Sequence, residues 1–234
     1  MERQIIKRQI ENYIAELKHV LHEPVVERDV GQAPIDPTKV FFLLLPMLNG
    51  EKWTEHLNTS ALAVGAVHAA FDAHDTIDVS DATSKQQQLS VLSGDHFSGV
   101  YYRLLASIPE LGFIQSLSGT IGQINEVKTT LHQQFPDEPT QLVESIRIVE
   151  AGCIADFLHT FGFSQYATLA NTVLPLLRLE RGWYNRNTKA IHVDQAIAQL
   201  HSEVQQAVQA ASFLKPSLQQ EIGSLAVPLL GKLI

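Results

Sequence analysis

The chain has 234 residues, 45% of them apolar and 18% charged, which supplies a buried core and excludes a disordered or low-complexity chain. A net charge of −8, with 17 basic residues scattered along the sequence, argues against a nucleic-acid partner. The single cysteine, Cys153, excludes a disulfide framework and any multi-cysteine metal site.

The elements follow a helical period. Ile5, Ile6, Ile10, Tyr13, Ile14, Leu17, Val20 and Leu21 recur every three to four residues and predict a first amphipathic helix. No charged-then-apolar leader precedes it, so a cytoplasmic protein is expected. Glu23-Pro24 and then residues 31–37 break the pattern. The longest apolar run, residues 40–48, is interrupted by Pro46 and is too short to span a bilayer. Asn49-Gly50 marks a turn, after which Trp53, Leu57, Ala61, Val64, Val67, His68 and Phe71 resume the period.

Residues 89–105 and 142–161 are apolar nearly all round, as in helices buried on several sides or held against a partner. Between them Pro109 is expected to open a helix. Residues 135–139 are expected to form a loop, with Thr140 or Asp137 capping the next helix. Residues 182–187 read as another loop. Val193, Ala196, Ile197, Leu200, Val204, Val208 and Ala211 give a further amphipathic helix, and Pro216 fits a first helical position. No alternating pattern argues for a strand. The expectation is a single all-α domain, a helical bundle of about eight to ten helices.

Chemistry concentrates in one segment. Asp72, Asp75, Asp78 and Asp81 are spaced by three, which on a helix makes Asp75 and Asp78 neighbours. Such a pair could clamp Mg²⁺, which takes one or two carboxylates and fills its octahedron with water and phosphate oxygens. A solvated acidic helix end, with one aspartate capping the next helix, explains the same spacing. Further on, Gly94 and Gly99 interrupt a helical pattern and suggest close approach of another helix. Asp95 in that apolar run needs a partner; His96 and Arg103 are candidates, and a donor from another helix is favoured. Cys153 reads as a small buried residue, and His19, His22, His192 and His201 as solvated or capping groups.

The stretches His74-Asp75-Thr76, Asp78 and Val91-Leu92-Ser93-Gly94-Asp95 resemble the first aspartate-rich region of trans-prenyl diphosphate synthases and the helix after it. Gly122 to Glu126 resembles that family's Gly-Glu-x-x-Gln helix. The match runs over about residues 37–180, a degenerate synthase core between an N-terminal helix and linker (1–36) and C-terminal helices (181–234). Thr76 stands where the family has its second aspartate, and Lys85 alone follows where it has an arginine pair. Arg147 to Glu150 replaces its Lys-Thr pair, and residues 161–175, where a second aspartate cluster is expected, are neutral. Ionising an allylic diphosphate needs Mg²⁺ between two facing carboxylate clusters. The resemblance therefore implies no catalytic residue and no metal ligand set in this chain.

With Tyr101-Tyr102-Arg103 after the Gly-Asp helix, the chain resembles component I of the two-component heptaprenyl diphosphate synthases of Gram-positive bacteria. The related hexaprenyl enzymes share that arrangement. The resemblance implies an isoprenoid-synthase fold and a catalytic large subunit (component II) that holds the Mg²⁺. It also implies a prenyl chain in a shared tunnel and a regulatory role in making the menaquinone side chain. Asp75, Asp78, Asp81 and Asp95 would be remnants of the ancestral aspartate motif. Leu92, Gly94, Phe97, Gly99, Tyr101 and Tyr102 are the candidate partner interface, and a homodimer is expected in isolation. Two other readings are a stand-alone prenyl-lipid-binding or scaffold protein, and an HD-type metal phosphohydrolase built on His74-Asp75 with His56 or His68.

Overall fold

A computed structural model describes residues 2–77, 84–182 and 190–230, with side chains at all of these except 190, 191 and 226–230. Among the described residues there are eleven α-helices and no strand, so the chain is all-α. The number exceeds the expected eight to ten because one- and two-turn helices carry no readable period. Contacts divide the chain into two compact units, residues 1–44 with 52–111, and residues 45–51 with 112–234.

The first unit is built around α5 (Glu55–Asp75), which is apolar on nearly every side and buried from Ser60 to Ala70. Thr54 opens it by accepting a hydrogen bond from the Leu57 amide at 3.3 Å. Helix α1 (Glu2–Leu21) lays Tyr13 and Leu17 across it. The Tyr13 hydroxyl donates to the Ala61 carbonyl at 2.7 Å, and a Cβ on Gly65 would lie 2.7 Å from Leu17 Cδ2 and from Tyr13 Oη. Only glycine permits that crossing. Helix α2 (Pro24–Asp29) starts on a proline, with the Glu23 carboxylate capping the Val25 and Val26 amides. Helix α3 (Pro37–Leu43) starts the same way under Asp36. The partner that covers α5 most extensively is α6 (Lys85–Ala106), capped by Ser84.

The second unit contains α4 (Leu45–Asn49) and α7 (Leu111–Gln133), followed by α8 (Pro139–Thr160), α9 (Ser164–Glu180), α10 (Ala190–Ala210) and α11 (Pro216–Leu230). Helices α8, α9 and α10 pack on one another, and α11 adds to α9 and α10. Phe113 of α7 meets Phe157 and Phe161 with ring centroids 6.0 and 5.0 Å apart. The short α4 is tied in by Asn49 and Glu51, which both bond the buried Tyr166 hydroxyl, at 2.9 and 2.7 Å. Gly50 takes the turn expected of Asn49-Gly50, at φ +100°.

Some expected boundaries move. Helix α7 begins at Leu111 and not at Pro109. Helix α8 is preceded by Glu138, which makes no side-chain cap, so neither Thr140 nor Asp137 fills that role; Pro139 itself sets the first turn. No helix among the described residues is long and apolar enough to cross a membrane.

Candidate functional site

Helix α5 ends at Asp75, where the Thr76 hydroxyl and amide both turn back to the Ala73 carbonyl, at 2.7 and 3.3 Å. Asp78 and Asp81 lie outside the described residues. Asp72, one turn earlier, is half-buried beside α3, with Lys39 Nζ 3.7 Å from its Oδ1. Beside this pair Leu17, Pro34, Gly65 and His68 line a cavity with room for about one water molecule, far less than a diphosphate needs. Among the described residues no group of three His, Cys, Asp or Glu side chains is placed to hold a metal ion.

Gly94 and Asp95 meet α5 through one residue. A Cβ on Gly94 would run into the His74 imidazole, so this glycine exists to admit that ring. The same imidazole brings Nε2 to 3.8 Å from Asp95 Oδ1, a loose pair with the carboxylate 65% exposed. The donor from another helix favoured for Asp95 is therefore His74. His96 and Arg103 turn instead to the α1 carbonyls of Leu21 and Val20, at 3.3 and 3.4 Å. Gly99 behaves differently: among the described residues outside its own helix nothing lies within 4 Å of its Cβ position, so none of them makes the expected close approach there.

The remaining residues of the candidate interface divide by burial. Leu92 and Tyr102 are each 57% exposed, and Gly99 is exposed with them. Phe97 and Tyr101 are buried in the chain's own packing, as is Gly94. The Tyr101 and Tyr102 rings lie 4.4 Å apart, one inside and one outside.

In the second unit Arg147, Arg178 and His201 lie against carboxylates on neighbouring helices. Glu150, buried on α8, holds Arg178 Nε of α9 at 3.1 Å. Arg147 donates to Glu203 of α10 at 2.8 Å and has Glu144 at 3.5 Å. His201 Nε2 lies 2.9 Å from Glu180 Oε1 and is buried, not solvated as its sequence context suggested. Asp156 accepts a short hydrogen bond from Ser116. Apart from Glu144 and Arg147, which are three apart on α8, these partners sit on different helices, so no spacing in the sequence could have revealed them. Chemically the arrangement ties α8, α9 and α10 together. It offers neither a second carboxylate cluster nor an uncommitted guanidinium at Arg147 or Arg178 for a diphosphate.

The fold is that of the isoprenoid synthases. The structure superposes on an isoprenoid synthase family member from Thermotoga neapolitana with a TM-score of 0.67 at 14% identity, covering 100% of this chain and 98% of that one. Against heptaprenyl diphosphate synthase from Staphylococcus aureus the TM-score is 0.62 at 11% identity, over 98% and 92% of the chains. Geranylgeranyl pyrophosphate synthase from Corynebacterium glutamicum gives 0.63 at 13%, over 97% and 96%. At these identities the likeness is one of fold.

Residues 24–224 match the family model of heptaprenyl diphosphate synthase (HEPPP synthase) subunit 1, and the chain belongs to that family. It is 28% identical over 118 residues to heptaprenyl diphosphate synthase component 1 of Geobacillus stearothermophilus, over 50% of this chain and 54% of that protein. The match thus spans about half the length of that relative. The terms subunit 1 and component 1 imply a second component.

Proposed function

We propose that the chain is the non-catalytic, regulatory subunit of a two-component heptaprenyl or hexaprenyl diphosphate synthase. It pairs with a catalytic large subunit, activates it and sets product length for the menaquinone side chain. The observation that carries this reading is the Glu150–Arg178 pair. Glu150 stands in the stretch that replaces the family's Lys-Thr pair, and its buried carboxylate is committed to Arg178 of the neighbouring helix, so this stretch presents no cation to a diphosphate. The Mg²⁺ and the two aspartate clusters then belong to the large subunit, which adds isopentenyl units to farnesyl diphosphate. This chain contributes apolar surface, with Leu92 and Tyr102 of α6 facing outward. A partner helix that closes or extends a dry tunnel fixes where chain growth stops.

The test is a prenyltransferase assay with farnesyl and isopentenyl diphosphates on this chain alone, a matching large subunit alone, and the mixture. Activity confined to the mixture, with one discrete hexaprenyl or heptaprenyl product, is expected. Turnover by this chain alone, or no effect of adding it, would overturn the reading.

A further inference from the structure

Asn49-Gly50 is the single Asn-Gly pair in the sequence, and the fold commits every polar group of its asparagine. The outer members of the network fix the direction of each bond. The Lys215 backbone N–H can only donate, and it reaches Asn49 Oδ1 at 2.9 Å. Asn49 Nδ2 therefore points the other way, donating to the Phe213 carbonyl at 3.2 Å and to Tyr166 Oη at 2.9 Å. With its oxygen accepting, Tyr166 directs its own hydrogen to Glu51 Oε1 at 2.7 Å. Burial raises the ionisation of this phenol above its usual value, so the hydrogen stays in place at neutral pH. The result is a clasp that joins α4 to α9 and to residues 211–215 between α10 and α11, all within the second unit.

Asparagine before glycine is chemically labile, because no side chain shields the following backbone nitrogen. That nitrogen attacks the side-chain carbonyl carbon of the asparagine. A C–N bond forms, the bond to Nδ2 breaks, and ammonia leaves with the hydrogen that the Gly50 amide gives up. Water then opens the cyclic imide at either carbonyl, leaving aspartate or isoaspartate. The sum is amide plus water to acid plus ammonia, with no change of oxidation state. In the folded chain both reacting groups are engaged. The Gly50 N–H bonds the Met47 carbonyl at 3.0 Å, and the Asn49 amide is held by Lys215, Phe213 and Tyr166. Gly50 itself is exposed, so water reaches the turn once those bonds open.

We propose that Asn49-Gly50 is a deamidation site which the closed Tyr166 clasp holds off and whose product cannot re-form the clasp. The acid at position 49 has no hydrogen for the Phe213 carbonyl. Tyr166 is left with one hydrogen between two carboxylates, at 49 and 51, which repel each other. Isoaspartate also lengthens the backbone inside the turn. An opening of the second unit is thus recorded irreversibly in the covalent structure. The proposal stands whether or not the chain serves a synthase.

Peptide mapping by mass spectrometry tests it, on the full-length chain held at physiological temperature and mildly alkaline pH. Conversion at Asn49 is expected to be at least about tenfold slower in the folded chain than in urea, because only the opened form reacts. Tyr166→Phe, confirmed as folded by circular dichroism, should convert faster than the folded wild type. A second measurement leaves the buried ring in place. Asn49→Asp copies the product and should lower the urea midpoint. Adding Glu51→Gln to it should recover much of the loss, because the new amide at 51 donates to the phenol oxygen and frees the phenol hydrogen for the acid at 49. Glu51→Gln alone should bring no such gain. Equal conversion rates in the folded and unfolded chains, a folded Tyr166→Phe no faster than wild type, a wild-type midpoint for Asn49→Asp, or no recovery on adding Glu51→Gln would overturn the proposal. None of these readings involves prenyltransferase activity.

Discussion

Gly94 and Gly99 stand five positions apart on one helix and answer to different neighbours. Adding side-chain volume at Gly94 forces the His74 ring aside, so Gly94→Leu should destabilise the chain by about 1–3 kcal/mol in urea unfolding. At Gly99 a methyl meets nothing, and Gly99→Ala should raise stability by about 0.5–1 kcal/mol in the same measurement. Tyr13 supplies a pH signature. Burial pushes its ionisation well above the usual tyrosine value of 10.0, with Glu16 adding to the effect. The folded form therefore holds the proton more tightly than the unfolded form. Its contribution is complete below about pH 10 and is lost as the pH rises beyond it. Tyr13→Phe removes the hydroxyl bond to Ala61, lowering neutral stability by about 1 kcal/mol, and should flatten the alkaline decline seen in the wild type. Equal alkaline slopes in the two proteins would contradict this assignment.

At the scale of elements, what could be read was what repeats or what punctuates. Four helices begin on the prolines Pro24, Pro37, Pro139 and Pro216, where a missing amide does no harm and φ is already set. The same residue misleads at Pro109, which precedes α7, and Pro175 sits inside α9 without ending it. The all-apolar stretches 89–105 and 142–161 became α6 and α8, because a helix with no polar face needs cover on several sides. What covers them was not legible, since contacts between helices leave no period. The ion pairs of α8, α9 and α10 are the clearest case. Glu150 is only 6% exposed, so replacing Arg178 by Met takes the cation from beside a buried carboxylate. Because Arg178 itself is 27% exposed and partly screened, the expected loss is about 2 kcal/mol, short of the 3–5 kcal/mol of a fully buried pair. Glu150→Leu combined with Arg178→Met should recover most of it. A double variant as unstable as the sum of its singles would show that the pair does not act as a unit.

For the whole molecule, the sequence carried the family and the fold through short motifs, yet those motifs said little about what the residues now do. His74-Asp75 and Gly94-Asp95 survive as a packing contact, with the imidazole seated on a glycine. The cavity beside Lys39 and Asp72 admits about one water, and Arg147 and Arg178 face carboxylates of their own chain. If the reacting metal ions are held elsewhere, a carboxylate on this chain can influence turnover only through folding or association. Asp75 is exposed at the end of α5, so losing its charge disturbs little of the unit's packing. Asp75→Asn with Asp78→Asn should then lower the activity of the reconstituted enzyme by less than about tenfold, which corresponds to a barrier change below about 1.4 kcal/mol. Steady-state rates at saturating large subunit remove weakened association from the comparison. A loss as deep as that from disabling the large subunit's own aspartates would place these carboxylates on the reaction path.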